Sequence, residues 1–92
     1  MSYRTTVKTL EAICKRINEA KGAPLTPYTK QADGKFIANV GNYHLSGAYG
    51  GYCLHLMENQ GGGISTPLVS GHVPKRELEL AMRSFLSGIE SK

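Results

Sequence analysis

The feature that most constrains the fold is a stripe of apolar side chains, spaced three or four residues apart, near the start of the chain. Its members are Val7, Leu10, Ile13, Cys14, Ile17 and Ala20. This spacing places them on one side of an α-helix. A threonine at position 5 or 6 is suited to cap the start of that helix, and Gly22 followed by Pro24 is suited to end it. We therefore predict a first helix over residues 6–21, with its stripe facing a core.

A second stripe with the same spacing lies near the end of the chain. Its members are Leu78, Ala81, Met82, Phe85 and Ile89. Pro74 is suited to the first turn of a helix, so we predict that this second helix begins there and ends near Gly88.

Between the two helices, glycines divide the chain into short segments that are rich in aromatic and β-branched residues. The predicted strands cover residues 35–40, 43–49 and 52–58, and the predicted turns are Gly41-Asn42 and Gly50-Gly51. These turns set a register with one largely apolar face, which consists of Phe36, Ala38, Val40, Tyr43, Leu45, Gly47, Tyr49, Tyr52, Leu54 and Leu56. The opposite face includes His44, Ser46, Cys53, His55 and Met57, and we expect it to stay largely open.

The segments that flank this meander are less regular. Residues 22–34 contain two prolines and an Asp-Gly turn signal, so we predict an irregular loop that displays Tyr28 and Lys30. Residues 64–69 are predicted to add a fourth strand only at an edge, because Pro67 has no N–H to donate to a β-ladder.

These elements together predict the fold class. Two amphipathic helices and an antiparallel sheet can bury their apolar faces against each other in two layers. We predict an α+β fold with two helices packed on one face of a three- to four-stranded antiparallel sheet, in the order α-β-β-β-(β)-α. A chain of 92 residues has room for one hydrophobic core, so residues 1–92 are expected to form a single domain.

The sequence shows no sign of a membrane or secreted protein. No apolar run approaches the roughly 18 residues that a membrane span needs, and nothing near the start resembles a signal peptide. We expect a cytoplasmic protein that does not associate with membranes.

The charge favours an anionic partner, such as nucleic acid, an acidic protein or a ribonucleoprotein, because the formal net charge is +4. Lys75 and Arg76 fall in the first turn of the second helix, where cations oppose the helix dipole. Two adjacent cations beside the free N–H groups of a helix start are suited to bind an anion, and Arg83 would extend that site. Alternatively, Glu79 forms ordinary exposed ion pairs with Lys75 and Arg83.

No pattern in the sequence predicts catalysis. Gly61-Gly62-Gly63 lacks the lysine and hydroxyl residue of a phosphate-binding loop, and no serine lies in a nucleophile elbow. The acidic residues are scattered, and none of their spacings indicates an acid-base pair. We therefore predict that the protein is not an enzyme and has no catalytic residue, cofactor or small-molecule substrate.

The cysteines and histidines are not expected to bind a metal. Cys14 and Cys53 lack the spacing of a zinc site, so we expect buried, reduced thiols, with a disulfide as the less favoured alternative. A metal site at His44, His55 and Cys53 is also less favoured, because it needs three convergent ligands while diagonal neighbours in a sheet lie about 7–8 Å apart.

The two histidines are instead expected to be donors or stacking groups at an interface. The predicted partner-binding residues are Lys30, Lys35, Asn39, His44, His55, Lys75, Arg76 and Arg83.

The element order and the start of the last helix resemble a double-stranded RNA-binding domain. The stretch that carries this resemblance is residues 71–76, Gly-His-Val-Pro-Lys-Arg, because the final helix of such domains begins with lysines that contact phosphates. Lys75 and Arg76 match this feature, whereas Glu77 and Glu79 depart from the longer basic cluster of the family. This resemblance implies the alternative function, a small nucleic-acid-binding domain.

Over its whole length, the chain also resembles small phage proteins, namely the anti-CRISPR inhibitors of the type I-F (Csy) surveillance complex. The resemblance is carried by residues 41–52 (GNYHLSGAYGGY), residues 71–78 (GHVPKREL) and the overall size. It implies a non-catalytic, phage-encoded inhibitor in the cytoplasm of the bacterial host. Such a protein docks on the Cas subunits and guide RNA of the complex and blocks binding of target DNA.

Overall fold

The computed structural model describes residues 5–69 and 71–91, which form two helices and five short strands. The helices are α1 (Val7–Lys21) and α2 (Lys75–Glu90). The strands are β1 (Tyr28–Lys30), β2 (Phe36–Ala38), β3 (Tyr43–Ala48), β4 (Gly51–Met57) and β5 (Ile64–Ser65). One antiparallel sheet has the order β1-β2, and the other has the order β3-β4-β5. The predicted α+β class is confirmed.

The ends of α1 follow the capping signals in the sequence. The backbone N–H of Thr9 donates to the Thr6 hydroxyl at 3.2 Å, which satisfies one of the free donors of the first turn. Gly22 adopts a left-handed conformation with φ of 67°, and its N–H donates to the Glu19 carbonyl at 3.2 Å. The predicted first helix is therefore confirmed at both ends.

The hydrophobic core lies between the two helices and the β3-β4 pair. Its buried members are Leu10, Ile13, Cys14, Ile17, Tyr43, Leu54, Leu78, Met82 and Leu86. Full burial of one large apolar side chain contributes about 1.5–3 kcal/mol, so the two helical stripes are the main source of stability. α2 continues past Gly88, where it was predicted to end, because Ile89 still packs against this core.

The β3-β4 hairpin has a different turn from the predicted one. Tyr49 and Gly50 occupy the turn with φ of 55° and 74°, and Ala48 pairs with Gly51. Leu45 consequently pairs with Leu54, two residues from its predicted partner Leu56. Because a shift of two residues preserves the direction of each side chain, the predicted faces of β3 and β4 are retained. Tyr49 is the exception, since its side chain is fully exposed in the turn.

The first strand pair of the predicted meander is wrong, because β2 pairs with β1 and not with β3. Gly41 has φ of 93° and donates its N–H to the Met57 carbonyl at 2.9 Å. The Asn42 side chain is fully buried and donates to the Pro24 carbonyl at 2.7 Å. These contacts direct the chain across the end of β4, so Gly41 and Asn42 do not form a hairpin turn.

The separate β1-β2 sheet overturns two further predictions. The segment around Tyr28 is a strand, where an irregular loop was predicted, since Thr29 pairs with Ile37. Phe36 and Val40 were predicted to face the core but are 65% and 51% exposed. A hairpin that leaves the three-stranded sheet cannot bring these side chains to the helices.

The predicted fourth strand is confirmed only as the two-residue edge strand β5, which stops before Pro67. The second face of the three-stranded sheet is less open than predicted, because Cys53 and Met57 are each 1% exposed. The connection from β5 to α2 covers part of this face and places the Val69 carbonyl 3.9 Å from the Cys53 sulfur.

Within residues 5–69 and 71–91, no helix is both long and apolar enough to span a membrane.

Candidate partner-binding surfaces

The β1-β2 hairpin carries a surface that combines large apolar side chains with lysines. We define the hairpin patch as Tyr28, Lys30, Lys35, Phe36 and Ile37, all of which are exposed. Phe36 is 65% exposed and lies opposite Lys30 in the register, while Tyr28 is 46% exposed. The register places Tyr28, Lys30 and Phe36 on one face of the hairpin, and Lys35 and Ile37 on the other. Exposed apolar residues that lie close together, as Tyr28 and Phe36 do, mark an interaction surface more often than scattered ones do.

Both ends of this hairpin are held by hydrogen bonds. At the tip, the Gln31 N–H donates to the Lys35 carbonyl at 2.7 Å, and the Lys35 N–H donates to the Asp33 carboxylate at 3.0 Å. Gly34 permits this turn, since its φ is 87°. The two predicted lysines are therefore presented on either side of a closed turn.

Asn39 was predicted to contact a partner, and the structure places it at the base of the hairpin. Its side-chain amide donates to the Thr26 carbonyl at 2.9 Å and accepts from the Thr29 hydroxyl at 3.0 Å. Its backbone N–H donates to the Pro27 carbonyl at 2.8 Å. These bonds fix the orientation of the hairpin, so Asn39 supports the hairpin patch from within the chain.

The three histidines of the chain lie together on the second face of the β3-β4-β5 sheet. His44 and His55 are direct cross-strand partners with ring centroids 5.5 Å apart, where diagonal neighbours were predicted. His72 lies 6.4 Å from His55, and its Nε2 is 3.2 Å from the Ser46 hydroxyl. We call His44, His55 and His72 the histidine cluster. His72 is the member that sequence reasoning missed, because only the tertiary pairing of Val73 with Tyr52 brings it to this face.

Burial makes His44 and His55 harder to protonate than free histidine. It lowers the pKa of His44, and the neighbouring His55 lowers it further. Burial likewise lowers the pKa of His55, with a further contribution from His72. His44 and His55 are therefore neutral near neutral pH and act there as hydrogen-bonding and stacking groups. In the described ranges, no group of three His, Cys, Asp or Glu side chains has a geometry that could hold a metal ion.

The predicted basic residues of α2 divide into two environments. Lys75 and Arg76 lie in the first turn, which has Pro74 at the N-cap position and no side-chain cap from the residues that the structure describes. Arg83 donates through Nε to the Glu79 carboxylate at 2.7 Å. Glu79 is only 4% exposed, so this pair is not the ordinary exposed contact considered from the sequence. Within the described part of the chain, Lys75 forms no ion pair with Glu79.

Comparisons with protein-family models, curated proteins and solved structures find no match. The resemblance to the anti-CRISPR inhibitors therefore rests on the sequence alone, and its functional implication stays a prediction. The fold does bring the two stretches behind that resemblance into contact. The Tyr52 N–H donates to the Val73 carbonyl at 2.7 Å, and the Val73 N–H donates to the Tyr52 carbonyl at 2.9 Å.

The predicted site residues thus lie on three parts of the fold. Lys30 and Lys35 belong to the hairpin patch, His44 and His55 belong to the histidine cluster, and the remaining cations lie on α2. The exposed aromatic residues of the hairpin were not among the predicted site residues. Phe36 was predicted to lie in a strand and Tyr28 in a loop, and no local pattern indicated that the two segments would pair in a separate, uncovered sheet.

Proposed function

We propose that the protein is a non-catalytic inhibitor that binds a macromolecular partner through the hairpin patch. One observation carries the proposal: Tyr28 and Phe36 are exposed beside Lys30 on one face of a hairpin that hydrogen bonds hold in place, and Ile37 and Lys35 are exposed on its other face. Aromatic residues are enriched at the centres of protein interfaces. A preorganised hairpin loses little conformational entropy on binding, which favours affinity.

The partner we propose is the type I-F RNA-guided surveillance complex, with its Cas subunits and guide RNA. The resemblance of residues 41–52 and 71–78 to anti-CRISPR proteins supports this choice, as does the net charge of +4. In such a complex, Phe36 and Tyr28 would contact protein side chains or stack on exposed bases. Lys30 and Lys35 would contact phosphates, and the docked protein would block target DNA.

A second candidate is a protein that binds bare nucleic acid. The start of α2 favours it, since Lys75 and Arg76 lie beside backbone N–H groups that no described side chain caps. Binding of this kind would depend steeply on salt, because each neutralised phosphate releases counterions.

The test uses a purified, assembled type I-F complex and a labelled target DNA. The tagged chain is incubated with the complex, co-purification is measured, and binding of the target is then followed by gel shift. We expect co-purification and loss of target binding. Absence of association would reject the inhibitor proposal, and salt-dependent binding of bare RNA or DNA by the chain alone would support the second candidate.

Paired variants assign the interface. Phe36→Ala removes a side chain that is 65% exposed on the hairpin, and Leu80→Ala removes one that is 61% exposed on α2. We expect Phe36→Ala to weaken association at least about tenfold, the loss typical of an interface anchor, while Leu80→Ala leaves it unchanged. Equal affinities for the two variants would remove the hairpin patch from the interface.

A further inference from the structure

The strand β3 is an edge of its sheet: β4 lies on one side, and no strand formed by residues 5–69 and 71–91 lies on the other. The Met57 N–H donates to the Asn42 carbonyl at 2.8 Å, which shows which backbone groups face β4. In an antiparallel pair, the backbone groups of alternate residues face the partner strand, so the N–H and carbonyl groups of His44 and Ser46 also face β4. The N–H and carbonyl groups of the alternate residues, which start at Tyr43, point away from β4.

Three residues of β3 therefore direct backbone groups outward: Tyr43, Leu45 and Gly47. The groups of Tyr43 are satisfied by the Asn18 side chain, with both bonds between 2.8 and 2.9 Å. Within the described residues, Leu45 and Gly47 have no outward hydrogen-bond partner. Gly47 is also exposed, so another backbone can approach this part of the edge.

A groove runs beside the same edge, between β3 and α1. It is an open cavity of about 700 Å³. Its walls are mainly apolar and include Val7, Leu25, Leu45 and Tyr52. They also contain one acidic residue, Glu11, and one basic residue, Lys15. A free strand edge next to a helix-walled apolar groove is suited to bind an extended peptide, which adds a strand to the sheet.

We propose that the β3 edge and this groove bind an extended peptide segment of a partner protein. The peptide backbone hydrogen-bonds with Leu45 and Gly47. Side chains of an added strand alternate between the two faces of the sheet, so apolar residues enter the groove while polar residues lie on the side of His44 and Ser46. The net charge of +4 favours acidic residues at those polar positions.

A second copy of the chain fits this groove less well than a separate peptide. In a symmetric pairing of two β3 edges, the side chains on the groove side would be Tyr43 and Leu45 of the other copy. Both residues already pack against the helices of their own copy, and Tyr43 is only 6% exposed. A partner segment supplies free apolar side chains, which the groove requires.

The proposal is tested by selecting binders for the full chain from a displayed random library of peptides about ten residues long, the upper range of strand lengths. We expect selected peptides to alternate apolar with polar or acidic residues. Hydrogen exchange of the chain, followed by NMR, gives the direct readout. Saturation with a selected peptide should slow exchange at the Leu45 and Gly47 amides at least about tenfold, with little change at His44 and Ser46, which already bond to β4.

Two variants of the site and one control complete the test. Leu25→Asp places a charge in the groove, and Leu80→Asp places one on α2; the two native side chains are 56% and 61% exposed. Gly47→Pro removes one outward N–H from an edge strand; its Cβ would lie 3.1 Å from the Tyr52 ring, so this side chain must move by a few tenths of an ångström. We expect peptide affinity to fall at least about tenfold for Leu25→Asp and Gly47→Pro, and to be unchanged for Leu80→Asp.

Several results would overturn the proposal. They are failure to select any peptide, unchanged exchange at Leu45 and Gly47, equal affinity of Leu25→Asp and Leu80→Asp, or a dimer of the free chain that protects these amides. The proposal goes beyond binding through the hairpin patch, because the groove uses other residues. Phe36→Ala should still bind the selected peptides, so failure of one proposal is distinguishable from failure of the other.

Discussion

The side-chain amide of Asn18 pairs with the backbone of Tyr43 as a neighbouring strand would. The Tyr43 N–H donates to Asn18 Oδ1 at 2.8 Å, and Asn18 Nδ2 donates to the Tyr43 carbonyl at 2.9 Å. The Cys14 thiol donates to the same carbonyl at 3.2 Å. α1 is thereby fixed to the edge of β3, and the part of this edge left for a partner begins at Leu45.

Replacement of Asn18 by alanine should destabilise the protein strongly. Asn18 is 2% exposed, so the variant leaves the N–H and a carbonyl lone pair of Tyr43 without protein partners in a largely buried place. We expect the free energy of unfolding to fall by about 2–4 kcal/mol, since each unsatisfied buried group costs about 1–3 kcal/mol. Urea denaturation measures the loss. Glu19→Ala, the neighbouring exposed position, should change stability by less than about 0.5 kcal/mol, and equal losses would contradict the role of Asn18.

The helices could be predicted from the sequence, whereas the position of the first hairpin could not. Helix boundaries depend on local signals, such as the Thr6 hydroxyl and the left-handed Gly22. The partner of β2 depends instead on contacts distant in sequence, above all the buried Asn42 side chain on the Pro24 carbonyl and the Gly41 N–H on the Met57 carbonyl. A Gly-Asn pair signals a hairpin turn locally, and these tertiary contacts override it.

The residues of the candidate surfaces could also be predicted only in part. Charge identified Lys30 and Lys35, and alternation in the strands placed His44 and His55 on one face. The exposure of Phe36 was missed because it follows from the pairing of β1 with β2. The pair of Arg83 with Glu79 was one of the predicted alternatives, but the burial of Glu79 was missed because spacing alone does not show that this side chain faces the interior.

Protonation of His44 and His55 should make the protein less stable in mild acid. Burial lowers the pKa values of His44 and His55 below their ordinary value of 6.5. Below that value, the unfolded chain binds more protons than the folded chain does. The contribution of these groups is therefore fully present above pH 6.5 and is lost as the pH falls through their lower folded values. Urea midpoints from about pH 7.5 to about pH 5 should fall with pH over this range.

The matched variant for this pH dependence replaces His44 and His55 with glutamine, which keeps a polar side chain and does not titrate. We expect its midpoint to fall less than that of the native chain over the same range. The same dependence in both proteins would assign it to other groups.

The close approach of Gly51 to the connection before α2 should make this glycine intolerant of substitution. A Cβ atom at Gly51 would lie 2.9 Å from the Val73 carbonyl oxygen and 3.1 Å from the His72 carbonyl carbon, both backbone atoms. Gly51→Ala must therefore displace the segment that pairs with Tyr52, and we expect a loss of about 1–3 kcal/mol. Gly88→Ala is the control, because a Cβ there meets no atom of the other described residues within 4 Å. As Gly88 lies within α2, alanine should stabilise the protein by about 0.5–1 kcal/mol. The opposite order in thermal denaturation would contradict this packing.

The two cysteines should be unreactive in the folded protein. Burial raises the pKa of Cys14 to about 11, with a further contribution from the negative charge of Glu11, and burial also raises the pKa of Cys53. A thiol reagent reacts with the thiolate, so labelling of both residues in native protein should be slow and should accelerate on addition of denaturant. Mass spectrometry resolves the two sites. Rapid native labelling of either cysteine would show that its side chain is more accessible than the structure indicates.

Truncation of Leu54 should reduce stability, whereas truncation of Phe36 should reduce partner binding. Leu54 is fully buried in the core, and Phe36 is 65% exposed. Leu54→Ala leaves a cavity between the helices and the sheet, and we expect a loss of about 2–5 kcal/mol in urea denaturation. Phe36→Ala should change stability by less than about 0.5 kcal/mol, because its ring has few packing partners to lose. If Phe36→Ala unfolds the protein as readily as Leu54→Ala does, the hairpin belongs to the core and the hairpin patch is not a free surface. A stable Phe36→Ala variant therefore makes any loss of partner binding attributable to the interface itself.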